Sequence, residues 1–388
     1  MGNHVRRPMA TLQTAAVSPC HPAWAEENRE RLQKNFQLTP RFSRRQPYSN
    51  LSPNGLTVKD ICDHFLTYQL QKVEAGAISA RWFEDCRRVL DSLAHFFGPR
   101  RLVGDITPND FLKFRQQLTS HGLTGKRGLG VHALNRAITV VRGMFKHVYE
   151  LDLIDRQIKY GKAFERPSAT LKRKARRVAE TKNGKRLFES AEIQDMLKHT
   201  DDSLRAMILL GINGGFGNTD CARLSIKAVD WDNKVIEFDR PKTGIERILP
   251  LWDETMEALH KVLSNRPKSE NEEYTNRVFL TTFGLPWVRD SIHRGEGNGI
   301  KKVVPVDSVG QGFTKLLKKL GLYRKGLGFY TLRHTFRTWA DEVNDQHAIH
   351  RIMGHAIPGM SGIYVERISL ERLRAVVDHV HATLFASE

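Results

Sequence analysis

The chain has 388 residues, and its 61 lysines and arginines outnumber 43 aspartates and glutamates, a formal net charge of +18. That length allows two domains with separate cores, and that charge asks for a polyanionic partner, nucleic acid before any other. The basic residues are spread along the chain and no apolar run approaches a bilayer's thickness, which argues against both a membrane-surface helix and a membrane span.

Residues 1–54 carry six prolines and no sustained periodicity, and are expected to be a poorly ordered basic arm. The first residues lack the apolar core of a secretion signal. The four cysteines (Cys20, Cys62, Cys86, Cys221) show no CxxC spacing, so neither a zinc site nor a disulfide framework is expected. A soluble protein of the cytoplasm follows, associated with the nucleoid if the partner is DNA.

From Thr57 the pattern turns helical. Thr57-Val58-Lys59-Asp60 reads as a capping box leading into Ile61, Cys62 and Phe65. Ser79 opens a second helix, with Cys86, Leu90, Leu93 and Phe97 inward and Gly98-Pro99 as its stop. Thr107-Pro108-Asn109-Asp110 starts a third, and a fourth runs from about Gly130 to Leu151. Four amphipathic helices on short turns predict a compact bundle over residues 55–168. On the fourth, Asn135, Arg136, Thr139, Arg142 and Lys146 avoid the apolar stripe and are candidate phosphate contacts.

Between Leu171 and Arg186 eight basic residues face a single acid, Glu180, which marks residues 169–187 as a basic interdomain linker. Beyond it a second domain, 188–388, is expected to be mostly helical with a small sheet. Ser190 should cap a helix through Leu197, with another at Leu204 to Ile212. Lys234 to Phe238 and Arg247 to Leu251 read as strands around the turn Pro241-Lys242-Thr243-Gly244. Residues 266–310 are polar and poorly periodic, apart from a strand at Arg277 to Thr281. Four more helices are expected, at 312–320, 332–343, 348–353 and 370–385. The fold class is therefore mainly α with a small β-sheet (α+β).

The richest segment lies near the end. His334-Thr335-Phe336-Arg337 is followed by Gly354-His355, and Tyr364 stands nine residues after His355. Two imidazoles, a guanidinium and a phenol suit phosphoryl transfer: cationic donors stabilise the non-bridging oxygens, and a phenol can act as covalent nucleophile. His334 and Arg337, at i and i+3 on a helix, are expected to share a face. Gly354 should end a short helix and place His355 at its terminus.

Tyr330-Thr331-Leu332-Arg333-His334-Thr335-Phe336-Arg337, with Met353-Gly354-His355 and Gly362-Ile363-Tyr364, resembles the C-terminal signature of the tyrosine recombinases (phage integrases). Lys242 to Leu251 is similar to that family's K-x-x-x-x-R-x-x-P-L hairpin. The resemblance covers residues 56–388. It implies a helical core-binding domain and a catalytic domain forming a clamp on double-stranded DNA, with a tetramer of copies on paired sites. It further implies site-specific strand exchange through a 3′-phosphotyrosyl link made by Tyr364. Arg337 and His355 would hold the phosphate, His334 would accept the tyrosine proton or orient the phosphate, and Lys242 would protonate the leaving oxygen. Arg247 would contact DNA. No metal or nucleotide cofactor is implied. A type IB topoisomerase or telomere resolvase would share this chemistry without strand exchange between sites.

One expected member is absent. Where the family places an arginine in T-G-x-R-x-x-E, this chain has Gly217 within Gly214-Gly215-Phe216-Gly217-Asn218-Thr219-Asp220. Another cation could substitute, with Arg223, Arg333 and Lys301 as candidates. The glycines could instead form a backbone anion nest at positive φ, the favoured expectation. Or the protein could bind DNA with weakened catalysis. The last helix, 370–385, is expected to dock on a neighbouring copy when DNA is bound.

Overall fold

The computed structural model describes residues 55–241, 243–294, 300–357 and 367–386, with backbone alone at 291–294 and 300–303. Residues 1–54, Lys242 and Tyr364 lie outside the described residues. The chain divides into two compact units, one holding residues 55–168 with 292–304 and the other 169–291 with 305–388.

The first unit is built on four helices: α1 (Val58–Glu74), α2 (Ala80–Phe97), α3 (Pro108–Ser120) and α4 (Val131–Glu150). Their starts follow local chemistry. The Asp60 and Asp110 carboxylates accept from the Thr57 and Thr107 amides at 3.0 and 2.8 Å, and Pro108 fills the first turn of α3, where its missing N–H costs nothing. Gly98, at φ 89°, ends α2. Leu134, Ile138, Val141, Phe145 and Val148 bury one stripe of α4. They meet a cluster of aromatic side chains in which Phe97 and Phe111 pack edge to face at 5.5 Å. Burying each such side chain stabilises the unit by about 1.5–3 kcal/mol. Cys62 and Cys86 lie buried here as packed thiols.

The second unit opens with α5 (Ala169–Asn183), α6 (Ser190–Lys198), α7 (Asp202–Gly214) and the short α8 (Asn218–Arg223). A three-stranded antiparallel sheet follows, β1 (Val229–Asp230), β2 (Val235–Glu237) and β3 (Ile248–Pro250), with Ile236 opposite both Val229 and Leu249. Then come α9 (Asp253–Ser264), α10 (Ser308–Lys319), α11 (Thr331–Ala340), α12 (Gln346–Met353) and α13 (Leu370–Phe385). Between α9 and α10 the chain forms the paired strands β4 (Val288–Arg294) and β5 (Ile300–Asp307), whose residues 292–304 group with the first unit. The apolar helix α7 is buried along its length, with α9, α11 and the sheet around it.

Several elements differ from expectation. The basic stretch is a helix, α5, none of whose residues is buried. Arg277 to Thr281 forms only isolated bridges, because Arg277 pairs with Ser225 and Leu280 with Pro286 at single positions. The paired strands β4 and β5 sit in the polar run that showed no period. Glu189, not Ser190, caps α6: its amide donates to Glu192 at 2.9 Å. Helix α13 packs on its own unit, with Leu373, Val376, Val377, Val380 and Leu384 buried. Trp252 donates to the Val377 carbonyl at 2.9 Å, and Ser190 and Gln194 each donate to the Leu384 carbonyl at 2.6 Å. In the single chain, without DNA, that apolar face is covered in cis.

Candidate active site

Two helices of the second unit end on left-handed glycines, and an arginine stem passes over each. Gly215 closes α7 at φ 64° and Gly354 closes α12 at φ 60°. A Cβ on Gly215 would stand 3.3 Å from Arg333 Cγ, and one on Gly354 would stand 2.9 Å from Arg240 Cβ. Glycine is required at both positions, by backbone conformation and by close approach.

Arg333, on α11, is only 2% exposed. It donates to the Gly215 carbonyl, to the Met353 carbonyl at 2.8 Å and to His355 Nε2 at 2.6 Å. A guanidinium can only donate, so His355 Nε2 is the acceptor and its proton sits on Nδ1. The carbonyls at these two helix C-termini carry partial negative charge, which suits a buried cation.

Arg247, on the strand side of the hairpin, is 0% exposed. It donates to the Met353 carbonyl at 3.1 Å, lies 3.4 Å from the Asp220 carboxylate and stacks over Phe216 at 4.1 Å. Arg240 stands at the base of the same hairpin, 6% exposed. Its backbone is fixed by N–H bonds running from Arg240 to the Ile245 carbonyl and from Gly244 to the Arg240 carbonyl, at 2.9 and 2.8 Å.

Three guanidiniums are thus buried in this unit, and among the described residues Asp220, which pairs with Arg247, is the one buried carboxylate. The excess positive field marks the neighbours. Burial first, then Arg333 and Arg240, pushes His355 down to about 4, so its ring is neutral at physiological pH. Burial first, then Arg240 and Arg247, pulls Arg333 down to about 10. Such a pocket favours an anion.

The expected site residues divide. His355 stands at the end of α12 beside Arg333. His334 lies on the exposed side of α11, edge-on to the Tyr330 ring at 5.5 Å, with its pKa lowered by burial and then by Arg176 and Arg186. Arg337 does not join His355: it pairs with Asp341 and Gln346, both at 2.6 Å, on the outer side of the helix. The buried residues of α11 include Leu332, Arg333 and Phe336 but not Arg337, so the inward arginine is Arg333. In the sequence Arg333 stands only as a candidate substitute cation, because a buried arginine reads as polar surface in a hydrophobicity pattern. Lys242 and Tyr364 lie outside the described residues, as does the side chain of Lys301.

Arg247, expected on DNA, is fully buried and ties the hairpin to α12. In the first unit, Arg136 pairs with Asp85 at 2.6 Å, Lys146 with Glu150 at 3.3 Å, and Arg142 stacks on Tyr160 at 4.6 Å. Asn135 is half-buried, its side-chain oxygen without a partner.

The expected anion nest is absent. Gly217 has φ −97°, an ordinary extended value. The amides of Gly215 and Phe216 both donate to the Leu210 carbonyl, and that of Gly217 to Asp220 at 2.9 Å, so none is left for a phosphate. A Cβ on Gly217 would instead meet the Tyr330 ring at 3.3 Å, and Tyr330 is 47% exposed. Arg223 is exposed beyond this turn, where its carbonyl accepts from Arg277.

Residues 186–369 match the phage integrase family. The Tn1549 transposon integrase, solved in complex with transposon right end DNA, superposes with a TM-score of 0.55 at 18% identity, covering 84% of this chain and all of that one. A λ integrase fragment, solved as a dimer bound to a COC′ core site, gives 0.54 at 13% identity over 81% of this chain and all of that one. These likenesses are of fold. Among curated proteins none matches the chain in sequence.

Proposed function

Since residues 186–369 belong to the phage integrase family, we propose that this protein is a site-specific DNA recombinase that cuts and rejoins double-stranded DNA through a 3′-phosphotyrosyl intermediate. The observation that carries the reading is the buried Arg333–His355 pair, set beside Arg240 and Arg247 with one carboxylate among them. A phosphodiester entering this field meets charged donors that need no reorganisation, in surroundings that strengthen each contact.

In the proposed reaction the Tyr364 oxygen forms a bond to phosphorus and the bond from phosphorus to the 5′-oxygen breaks. The phenolic proton leaves to a base, and Lys242 gives a proton to the departing 5′-oxygen. The reverse attack by a 5′-hydroxyl restores the diester, so the bond energy is conserved and no cofactor is called for. Arg333 takes the non-bridging oxygens in place of the expected Arg337. His355, neutral and already hydrogen-bonded, donates to the phosphate after turning from Arg333. Copies assemble on paired sites to exchange strands.

A catalytically weakened DNA-binding relative is the second reading, favoured by Gly217 and its fully engaged amides. One experiment separates the two. A duplex selected from a random pool by binding, then nicked so that religation fails, should become covalently attached to the wild-type chain. Tyr364→Phe should abolish attachment while leaving binding unchanged, because only the nucleophilic oxygen is lost. Binding without attachment by the wild type would establish the weakened relative.

A further inference from the structure

We propose that Arg240 is the second anion-holding guanidinium of this site, supplying from the hairpin the positive charge that position 217 lacks. Its ligand is a phosphate group, and the reading above supplies only the identity of that phosphate as a DNA phosphodiester.

The case begins with an energetic anomaly. Arg240 is 6% exposed, and its Nε is buried without a partner. Among the described residues no carboxylate or carbonyl pairs with its guanidinium. Arg333 and Arg247, equally deep, each hold helix-end carbonyls, and Arg247 also has Asp220. A buried charge with no compensation is costly, and a fold normally neutralises, pairs or exposes it. An arginine cannot readily neutralise itself by losing its proton.

The position is also built and not accidental. Arg240 begins the tight turn that Thr243 and Gly244 close onto its carbonyl at 3.1 and 2.8 Å. Thr243 Oγ1 donates to the Gly354 carbonyl at 3.1 Å, fastening that turn to the end of α12. The Arg240 stem lies where a Cβ on Gly354 would be, one residue before His355. Its charge is felt at His355, Arg333 and Arg247, so the guanidinium shares their pocket. An anion bridging Arg240 and His355 would supply the missing partner, and a planar fork suits two oxygens of one phosphate.

The test uses the full chain and Arg240→Met, with inorganic phosphate as the probe in an acetate buffer. Without phosphate, Arg240→Met should raise Tm, since it removes a buried charge that no described residue pairs with and keeps the stem's volume. Phosphate should raise the wild-type Tm, and the variant's affinity for it should fall at least about tenfold. A variant that lowers Tm, or one whose phosphate response equals that of the wild type, overturns the proposal. Should Arg240→Met fail to fold, Arg240→Lys replaces the fork by a point charge and should weaken phosphate binding several-fold; unchanged affinity there overturns it equally. A duplex that displaces inorganic phosphate identifies the source as DNA, and one that does not identifies a free anion. Covalent attachment by the wild type is scored separately, so a recombinase reading that fails leaves this site standing, and the converse holds.

Discussion

Arg333 and Arg337 lie one helical turn apart, and their surroundings predict opposite consequences for the same change. Arg333 spans two carbonyls and His355, which an ammonium on a single stem cannot reproduce. Arg333→Lys should therefore slow covalent attachment by at least about a hundredfold, the scale of one lost transition-state donor. Arg337→Lys should change the rate by less than about threefold, since its exposed partners Asp341 and Gln346 contribute little. Single-turnover rates on one nicked duplex check this, and equal losses would restore Arg337 to the site. His355 carries a pH prediction. Its pKa falls from the ordinary 6.5 to about 4, so the unfolded chain takes up the proton first as pH drops. Stability is then complete above pH 6.5 and declines as pH falls toward about 4. His355→Gln should lose less Tm than the wild type between pH 7 and 4.5, and an identical decline would show that His355 is not linked. Gly217→Arg belongs here too. With φ −97° there is no left-handed strain, and only the exposed Tyr330 ring must yield a few tenths of an ångström. The variant should stay within about 1 kcal/mol of the wild type in denaturant unfolding, and a much larger loss would mean that the ring cannot move. At this scale the sequence placed His355 at a helix end, because its glycine cap is a local signal. It hid Arg240, because nothing in Asp239-Arg240-Pro241 tells a buried arginine from a turn residue.

Helix α13 shows what periodicity can and cannot reveal. Leu373, Val377 and Val380 repeat at helical spacing, which disclosed the helix but not what covers its apolar face. The cover is the chain's own second unit, through Trp252, Ser190 and Gln194. The same limit applies to α5, where a run of like charges suggested a linker and local propensity made a helix. It applies again to β4 and β5, which pair in a run that reads as polar and aperiodic in the sequence. Capping chemistry was the more legible signal: Thr57 with Asp60, and Thr107 with Asp110, started α1 and α3 where the sequence placed them. Removing residues 369–388 should consequently unfold the second unit. Five buried side chains at about 1.5–3 kcal/mol each are comparable to a domain's whole net stability of about 5–15 kcal/mol. Circular dichroism and hydrogen exchange of the truncated chain would measure it, and a cooperative, native-like second unit would mean that α13 is dispensable in cis.

Across the whole chain the excess of 18 positive charges is the property most directly tied to a partner, but the buried guanidiniums are few and most of the excess lies elsewhere. Helix α5 concentrates it: Arg173, Lys174, Arg177 and Lys182 are exposed, none of the helix's residues is buried, Arg176 pairs with Glu180 at 2.7 Å, and Arg173 donates to the Thr170 hydroxyl at 3.3 Å. On α4, Arg136 and Lys146 sit in exposed ion pairs worth about 0–1 kcal/mol, which a phosphate can replace at small cost. No helix among the described residues is long and apolar enough to cross a membrane. Each phosphate neutralised releases counterions, with a slope of log K against log salt of about −0.9 per contact. Duplex affinity should thus fall steeply between about 50 and 200 mM salt. Replacing Arg173, Lys174, Arg177 and Lys182 with glutamine tests the helix directly. Since these side chains support no core, the fold should be unchanged, and the slope should become shallower by up to about four contacts' worth. Arg240→Met, acting on one buried phosphate, should shift the slope by no more than about one. A quadruple variant with the wild-type slope would show that α5 faces solvent and that the phosphate contacts come from other surfaces.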